Sequence, residues 1–153
     1  MVLEFNQLAD PDEKEILKTN AVKVENTDKY MHLFVDLQDT AKANDAVCIG
    51  IASNQIWKLQ EEPPPAVFII KLDKLVGWKL FVNPVIKGTG PKVSLREGCM
   101  SLKGKKPKMK KRDKNVIITY WDPATQLEAT EKYFGYDART IQHEMDHLNG
   151  ILI

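Results

Sequence analysis

Cysteine is scarce in this sequence: there are two, Cys48 and Cys99, among 153 residues. Two thiols cannot form a disulfide framework, so a reducing, cytoplasmic compartment is the expectation. They could pair with each other, but a metal-binding thiolate is the sharper reading. No apolar run approaches the ~20 residues of a membrane-spanning helix. The first ten residues lack the basic and apolar regions of a secretory signal. Net charge is +1, so overall charge indicates no partner. Repeats and low-complexity tracts are missing too, which leaves one domain, 1–153, long enough to bury a core. Its 43% hydrophobic and 28% charged residues are ordinary for a globular chain.

Charge is unevenly placed, however. The stretch 103–114, from Lys103 to Lys114, holds eight basic residues and one acid, Asp113. Such a run is either a solvated loop or hairpin, or a surface for an anionic partner such as RNA.

Residues 1–26 read as irregular, with a turn at Asp10-Pro11-Asp12. Tyr30, Leu33, Phe34, Leu37 and Ala41 then fall on one helical face, with Thr27 or Asp28 as N-cap. His32 lies off that stripe and reads as a surface residue. The small-residue run 46–55 reads as a strand in which Gly50 marks close approach by a ligand or another backbone. Three prolines in 61–65 imply an exposed extended loop. Strands are expected over 66–70, 78–82, 92–95, 116–121 and 127–134, with glycine and proline between them. The class is α+β: a helix, then strands, then a last helix.

That helix lies near the end, where Gln142-His143-Glu144-Met145-Asp146-His147 contains H-E-x-x-H. Histidines four apart project from one helical face, as two ligands of one metal must. Glu144 adjoins His143 and reaches a water there without being a ligand. Ala138, Ile141, Met145 and Leu148 form an apolar stripe well round the helix from the histidines. Both sides therefore need cover, which places the helix centrally. Gly150 is the expected C′ residue. Such a pattern also arises by chance, so a third ligand is needed. The upstream candidate is Cys99 in Glu97-Gly98-Cys99-Met100-Ser101. One thiolate and two imidazoles leave a fourth position for water. A buried reduced cysteine without metal is the competing reading.

Three stretches together resemble the peptide deformylases, whose motifs are G-φ-G-φ-A-A-x-Q, E-G-C-L-S and Q-H-E-x-D-H-L-x-G. The chain has Cys48-Ile49-Gly50-Ile51-Ala52-Ser53-Asn54-Gln55, then Glu97 to Ser101, then Gln142 to Gly150, in the same order. Cys48 replaces a glycine, Ser53 an alanine and Met100 a leucine; the third motif matches at every fixed position. The resemblance covers about two-thirds of the chain.

It implies antiparallel sheets around a central metal-binding helix, and an enzyme that removes the formyl group from N-formylmethionine of nascent polypeptides. It also implies Fe²⁺, with Zn²⁺, Ni²⁺ or Co²⁺ as substitutes, on Cys99, His143 and His147. Glu144 takes the acid/base position, while Gln55 and the Met100 N–H take the oxyanion positions. Ile49, Gly50, Glu97, Gly98, Tyr136 and Arg139 are the candidates for the substrate wall, Tyr136 and Arg139 flanking the methionine pocket. Glu97 also suits holding its own loop, paired with Arg112. Most members continue beyond the position of Ile153 into a C-terminal helix. Short members are carried by bacteriophages, so action in a bacterial or phage-infected cell is expected, as a monomer. Two other readings stay open. A small metallopeptidase would act on unformylated peptides. A non-catalytic protein of the same fold would bind nascent chains and RNA, yet would have no use for Glu144.

Overall fold

A computed structural model describes residues 1–73 and 77–153. Helix α1 (Pro11–Leu17) comes first, then α2 (Met31–Ala43), strands β1 (Gly50–Ala52), β2 (Val67–Lys71), β3 (Trp78–Glu97), β4 (Lys108–Asp122) and β5 (Leu127–Phe134), and helix α3 (Gly135–Leu148). The five strands form one antiparallel sheet in chain order. The expected α+β architecture is observed, with the strands in that one sheet.

The alternation of β2 explains where the core sits. Val67 and Ile69 pack with Leu33, Phe34 and Leu37 of α2, while Phe68 and Ile70 pack with Ala138, Ile141 and Leu148 of α3. A strand covered on both faces must be apolar throughout, and Val67 to Ile70 are fully buried. Helix α3 therefore lies over the sheet and touches β1, β2, β4 and β5. The two-sided helix inferred from its stripe is the one observed. It ends in a paired cap: Gly150 N–H donates to the His147 carbonyl at 2.9 Å and Ile151 N–H to that of Asp146 at 2.8 Å. Gly150 has φ +70°, and a Cβ there would stand 2.4 Å from the Lys18 carbonyl oxygen. Only glycine serves both needs.

Four local expectations change. Asp10-Pro11-Asp12 opens a helix: the Asp10 carboxylate accepts from the N–H groups of Asp12 and Glu13, and Pro11 occupies the first turn. Asn26 rather than Thr27 or Asp28 caps the first turn of the next helical segment. The strand expected over 46–55 shrinks to Gly50–Ala52 and turns into a 3₁₀ segment, Ser53–Gln55. Pro64 and Pro65 are buried, because the Pro64 carbonyl accepts from Val22 N–H and that of Pro65 from Ser53 Oγ.

The longest change is in β3. The stretch 88–91 reads as a break, yet the strand runs through it, and through Pro84, for 20 residues. Its register against β4 shifts between Val82 and Val85 and again between Thr89 and Lys92. Bulges accommodate the residues that cannot pair. Much of the basic stretch forms the facing arm of this hairpin, in β4. Residues 98–107 join the two arms, so Cys99 stands at the start of that loop.

Candidate metal centre and cleft

The hairpin loop and α3 bring three donors together. Ligand atoms of Cys99, His143 and His147 lie within 4.8 Å of one another. Cys99 Sγ is 3.3 Å from His147 Nε2, and the two imidazole rings are 5.0 Å apart. One soft thiolate with two imidazoles suits a borderline divalent ion and leaves positions for other ligands. His143 Nδ1 meets Glu97 Oε1 at 2.9 Å, which fixes the ring and turns its other nitrogen inward. Burial pulls His143 towards neutrality, but its bonds to the Cys99 sulfur and Glu97 raise its pKa to about 10. A metal ion would replace that proton, since imidazole ligates in the neutral form. Burial, with His143 nearby, holds His147 well below its ordinary value, already in the ligating form.

Glu144 lies beside this cluster, 3% exposed. Its Oε2 has no hydrogen-bond partner among the described residues. Burial raises its carboxyl to about 7, against the pull of His143 and Arg112. Gly50 is what makes room for it. A Cβ on Gly50 would stand 2.5 Å from Glu144 Oε1 and 3.0 Å from its Cδ. The close approach expected at Gly50 is thus by a side chain of this chain. Gly50→Ala should displace the carboxylate and lower kcat by about 10-fold or more. Metal content should stay near that of the parent, which metal analysis alongside turnover will show.

Gln55 enters from the turn after β1. Its Oε1 accepts from Ala52 N–H at 3.0 Å, which aims Nε2 at Ser101 Oγ (3.2 Å) and Cys99 Sγ (3.5 Å). The amide is 1% exposed. Ile49, Gly50, Gln55, Met100, Tyr136 and Glu144 line an open cleft of about 1090 Å³. Ile49 and Tyr136 are exposed on its walls, and Gly98 faces open space.

Glu97 and Arg139 are engaged elsewhere than with a ligand. Arg112 grips Glu97 through Nε (3.0 Å) and Nη2 (2.8 Å), and its Nη1 reaches Asp146 at 2.6 Å. Arg139 meets Glu97 too, and donates to the carbonyls of Lys110 and Val93 at 3.0 and 2.6 Å. Burial works against ionisation of Glu97, yet these donors and His143 hold it far below the usual carboxylate range. The Arg112 partnership suggested by the sequence is observed, and Arg139 joins it. Glu97 and Arg139 also line the cleft, with their polar groups on protein partners. Sequence reasoning missed Ser101, Gln7 and Asp146 as partners, because each meets its neighbour across a long stretch of chain. Gln142 sits in the quoted motif, and its side chain ties α3 to Asp113 N–H (2.9 Å) and C=O (2.8 Å) of β4.

Burial raises the Cys48 thiol to about 12, with Glu144 adding to it. Both cysteines are free thiols. Among the described residues, no helix is long and apolar enough to cross a membrane.

Comparison with known proteins agrees with this geometry. The family model of polypeptide deformylase matches residues 5–153. Peptide deformylase of Dictyoglomus turgidum is 33% identical, with 100% of this chain and 91% of that one covered. Among solved structures, peptide deformylase from Vibrio parahaemolyticus bacteriophage VP16T, in complex with actinonin, superposes with a TM-score of 0.80. It is 26% identical, over 99% of this chain and 100% of that one. A probable peptide deformylase from Synechococcus phage S-SSM7 gives 0.80 at 26% identity, over 98% and 96%. With a matching motif set, an assembled Cys-His-His cluster and relatives aligned from end to end, this chain belongs to the polypeptide deformylase family.

Proposed function

We propose that the single domain 1–153 hydrolyses the formyl amide of N-formylmethionyl nascent peptides, with Cys99, His143 and His147 holding one divalent metal ion. The observation that carries this reading is one cluster at the cleft: three converging ligand atoms beside a buried carboxylate oxygen with no hydrogen-bond partner among the described residues. A metal ion in that position acidifies water and polarises a carbonyl. Glu144 takes the proton of the water that adds to the formyl carbon. As the C–N bond breaks, it returns a proton to the amine, leaving formate and a free N-terminus. Gln55 Nε2 and the Met100 N–H stabilise the negative oxygen between these steps, without adding charge to the site. Tyr136 and Ile49 form walls for the methionine side chain and the chain after it.

Fe²⁺ is the proposed native ion, and Zn²⁺, Ni²⁺ or Co²⁺ the substitutes that the same donors accept. The test is formate release from a formyl-Met dipeptide, anaerobically with Fe²⁺ supplied, run beside Cys99→Ala. That variant should lose both stoichiometric metal and activity. Metal retained at one per chain by the variant would move the third ligand elsewhere.

The proposed setting is the cytoplasm of a bacterial or phage-infected cell, the proposed state a monomer. Arg112 of the basic stretch is turned inward to Glu97 and Asp146. The lysines around it, including Lys103, Lys105, Lys106 and Lys111, stay exposed. These are proposed to meet ribosomal RNA through its phosphates. Co-sedimentation with ribosomes should then fall steeply as salt rises; none at low salt would leave the lysines a solvated face.

A further inference from the structure

The segment ahead of α1 reaches both walls of the site. On one side, Asn6 is fully buried. Its N–H donates to the Gln55 carbonyl at 2.6 Å, and Nδ2 to the carbonyls of Asn54 (2.7 Å) and Trp57 (2.9 Å). Lys58 Nζ occupies Asn6 Oδ1 at 2.6 Å. Every polar group of that side chain is spent on the turn that carries Gln55.

On the other side, Gln7 spans the loop that carries Cys99. Its Nε2 donates to the Met100 carbonyl at 2.9 Å, and its Oε1 accepts from Lys103 N–H at 3.2 Å. Nε2 also meets the Phe5 carbonyl at 3.3 Å. Leu8 N–H donates to the Ser101 carbonyl at 3.0 Å. Gln7 N–H is held in turn by Glu13 of α1 at 2.7 Å.

Peptide planes show why these bonds matter. The Cys99 carbonyl and the Met100 N–H share one plane, which Leu102 N–H pins through that carbonyl at 3.0 Å. The Met100 carbonyl belongs to the next plane, which Gln7 pins. Met100 is thereby fixed on both sides, in a loop flanked by Gly98 and Gly104. Side-chain bonds substitute for a ladder that the irregular loop lacks.

We propose that Asn6 and Gln7 are positioning residues: together they set the Gln55 turn and the Cys99–Met100 loop at the separation that catalysis needs. This rests on the activity proposed above. Neither residue touches the reacting atoms. Gln7 acts through Met100 and Asn6 through Gln55, so these adjacent residues each work on one of the two oxyanion donors. Displacements well under the size of an atom are expensive at such a site.

Gln7→Met tests it, since methionine keeps the volume and removes both loop bonds. Gln7 is only half-buried, so the variant should fold. Expected are a kcat lower by about 10- to 10²-fold, a KM within about threefold, and metal retained at one per chain. Amide exchange should quicken at residues 99–103 and nowhere else. Unchanged kcat overturns the proposal. So does a loss carried by KM, which would make Gln7 a substrate contact, or exchange raised throughout the chain, which would make it a general stabiliser. Should Gln7→Met fail to fold, Gln7→Glu is read instead. It keeps the acceptor for Lys103 but cannot donate to Met100, and the same kcat loss is expected. Parent protein that releases no formate would sink the activity itself. Active parent protein with an indifferent Gln7 variant would sink only the clasp.

Discussion

Glu144→Gln is expected to give a folded protein that keeps its metal, binds formyl-Met peptides and turns them over about 10²–10⁴ times more slowly. The amide has the size and shape of the carboxylate but cannot accept a proton from water. Folding should survive, because Glu144 Oε2 has no hydrogen-bond partner among the described residues. Metal should survive too, since the three converging ligand atoms belong to Cys99, His143 and His147. Burial sets the metal-free carboxyl at about 7, in the range where one group both takes and returns a proton near neutral pH. Metal analysis, product-peptide affinity and single-turnover rates check the prediction together. Near-parental turnover would remove Glu144 from the mechanism, and loss of metal would make it a ligand.

How much of this was legible in the sequence depends on the distance over which each feature is decided. The H-E-x-x-H pair, the stripe through Ala138, Ile141 and Leu148, and the Gly150 cap are local, and each is found where its spacing put it. So is the apolar face of α2, and His32 is exposed as expected. The α1 signal was equally local: an Asp cap, proline in the first turn and early acids. It reads as a turn because seven residues carry too little periodicity to outweigh the Asp-Pro pair. The stretch 88–91 reads as a strand end because pairing is invisible in one strand alone. Only the facing arm shows that a bulge absorbs it.

The site divides along the same line. The three converging ligand atoms come from two short motifs, and the resemblance joins them. Gly50 was legible as a close approach but not as a close approach by Glu144, which lies 94 positions on. The Glu97–Arg112 pair is suggested by the sequence, but Arg139 as a second partner of Glu97 is not. That second pairing is decided by β3 crossing α3, at a separation of 42 residues. Asn6 and Gln7 carry no motif at all. Nothing short of the folded chain brings them to Gln55 and Met100.

The same buried cluster supports the largest expected change in stability. Glu97 is 9% exposed and Arg112 5%, and Arg112, Arg139 and His143 all meet the one carboxylate. Glu97→Gln removes the charge without opening a cavity. Arg112 keeps Asp146 at 2.6 Å, but Arg139 is left with carbonyls alone. Breaking a buried ion pair from one side costs about 3–5 kcal/mol, because the stranded charge remains desolvated. For a chain of this size that lowers Tm by roughly 6–20 °C. Metal should weaken as well, by roughly 10- to 100-fold, since His143 must share one neutral amide oxygen with two arginines in place of a carboxylate. The control is Lys92→Met, which breaks the surface pair with Asp113 at 2.9 Å and should shift Tm by no more than a few degrees. Calorimetry of both variants, with metal titrations, separates the cases. A Glu97→Gln protein as stable as its parent would mean that the three donors find other partners, and that loop 98–107 does not depend on this carboxylate.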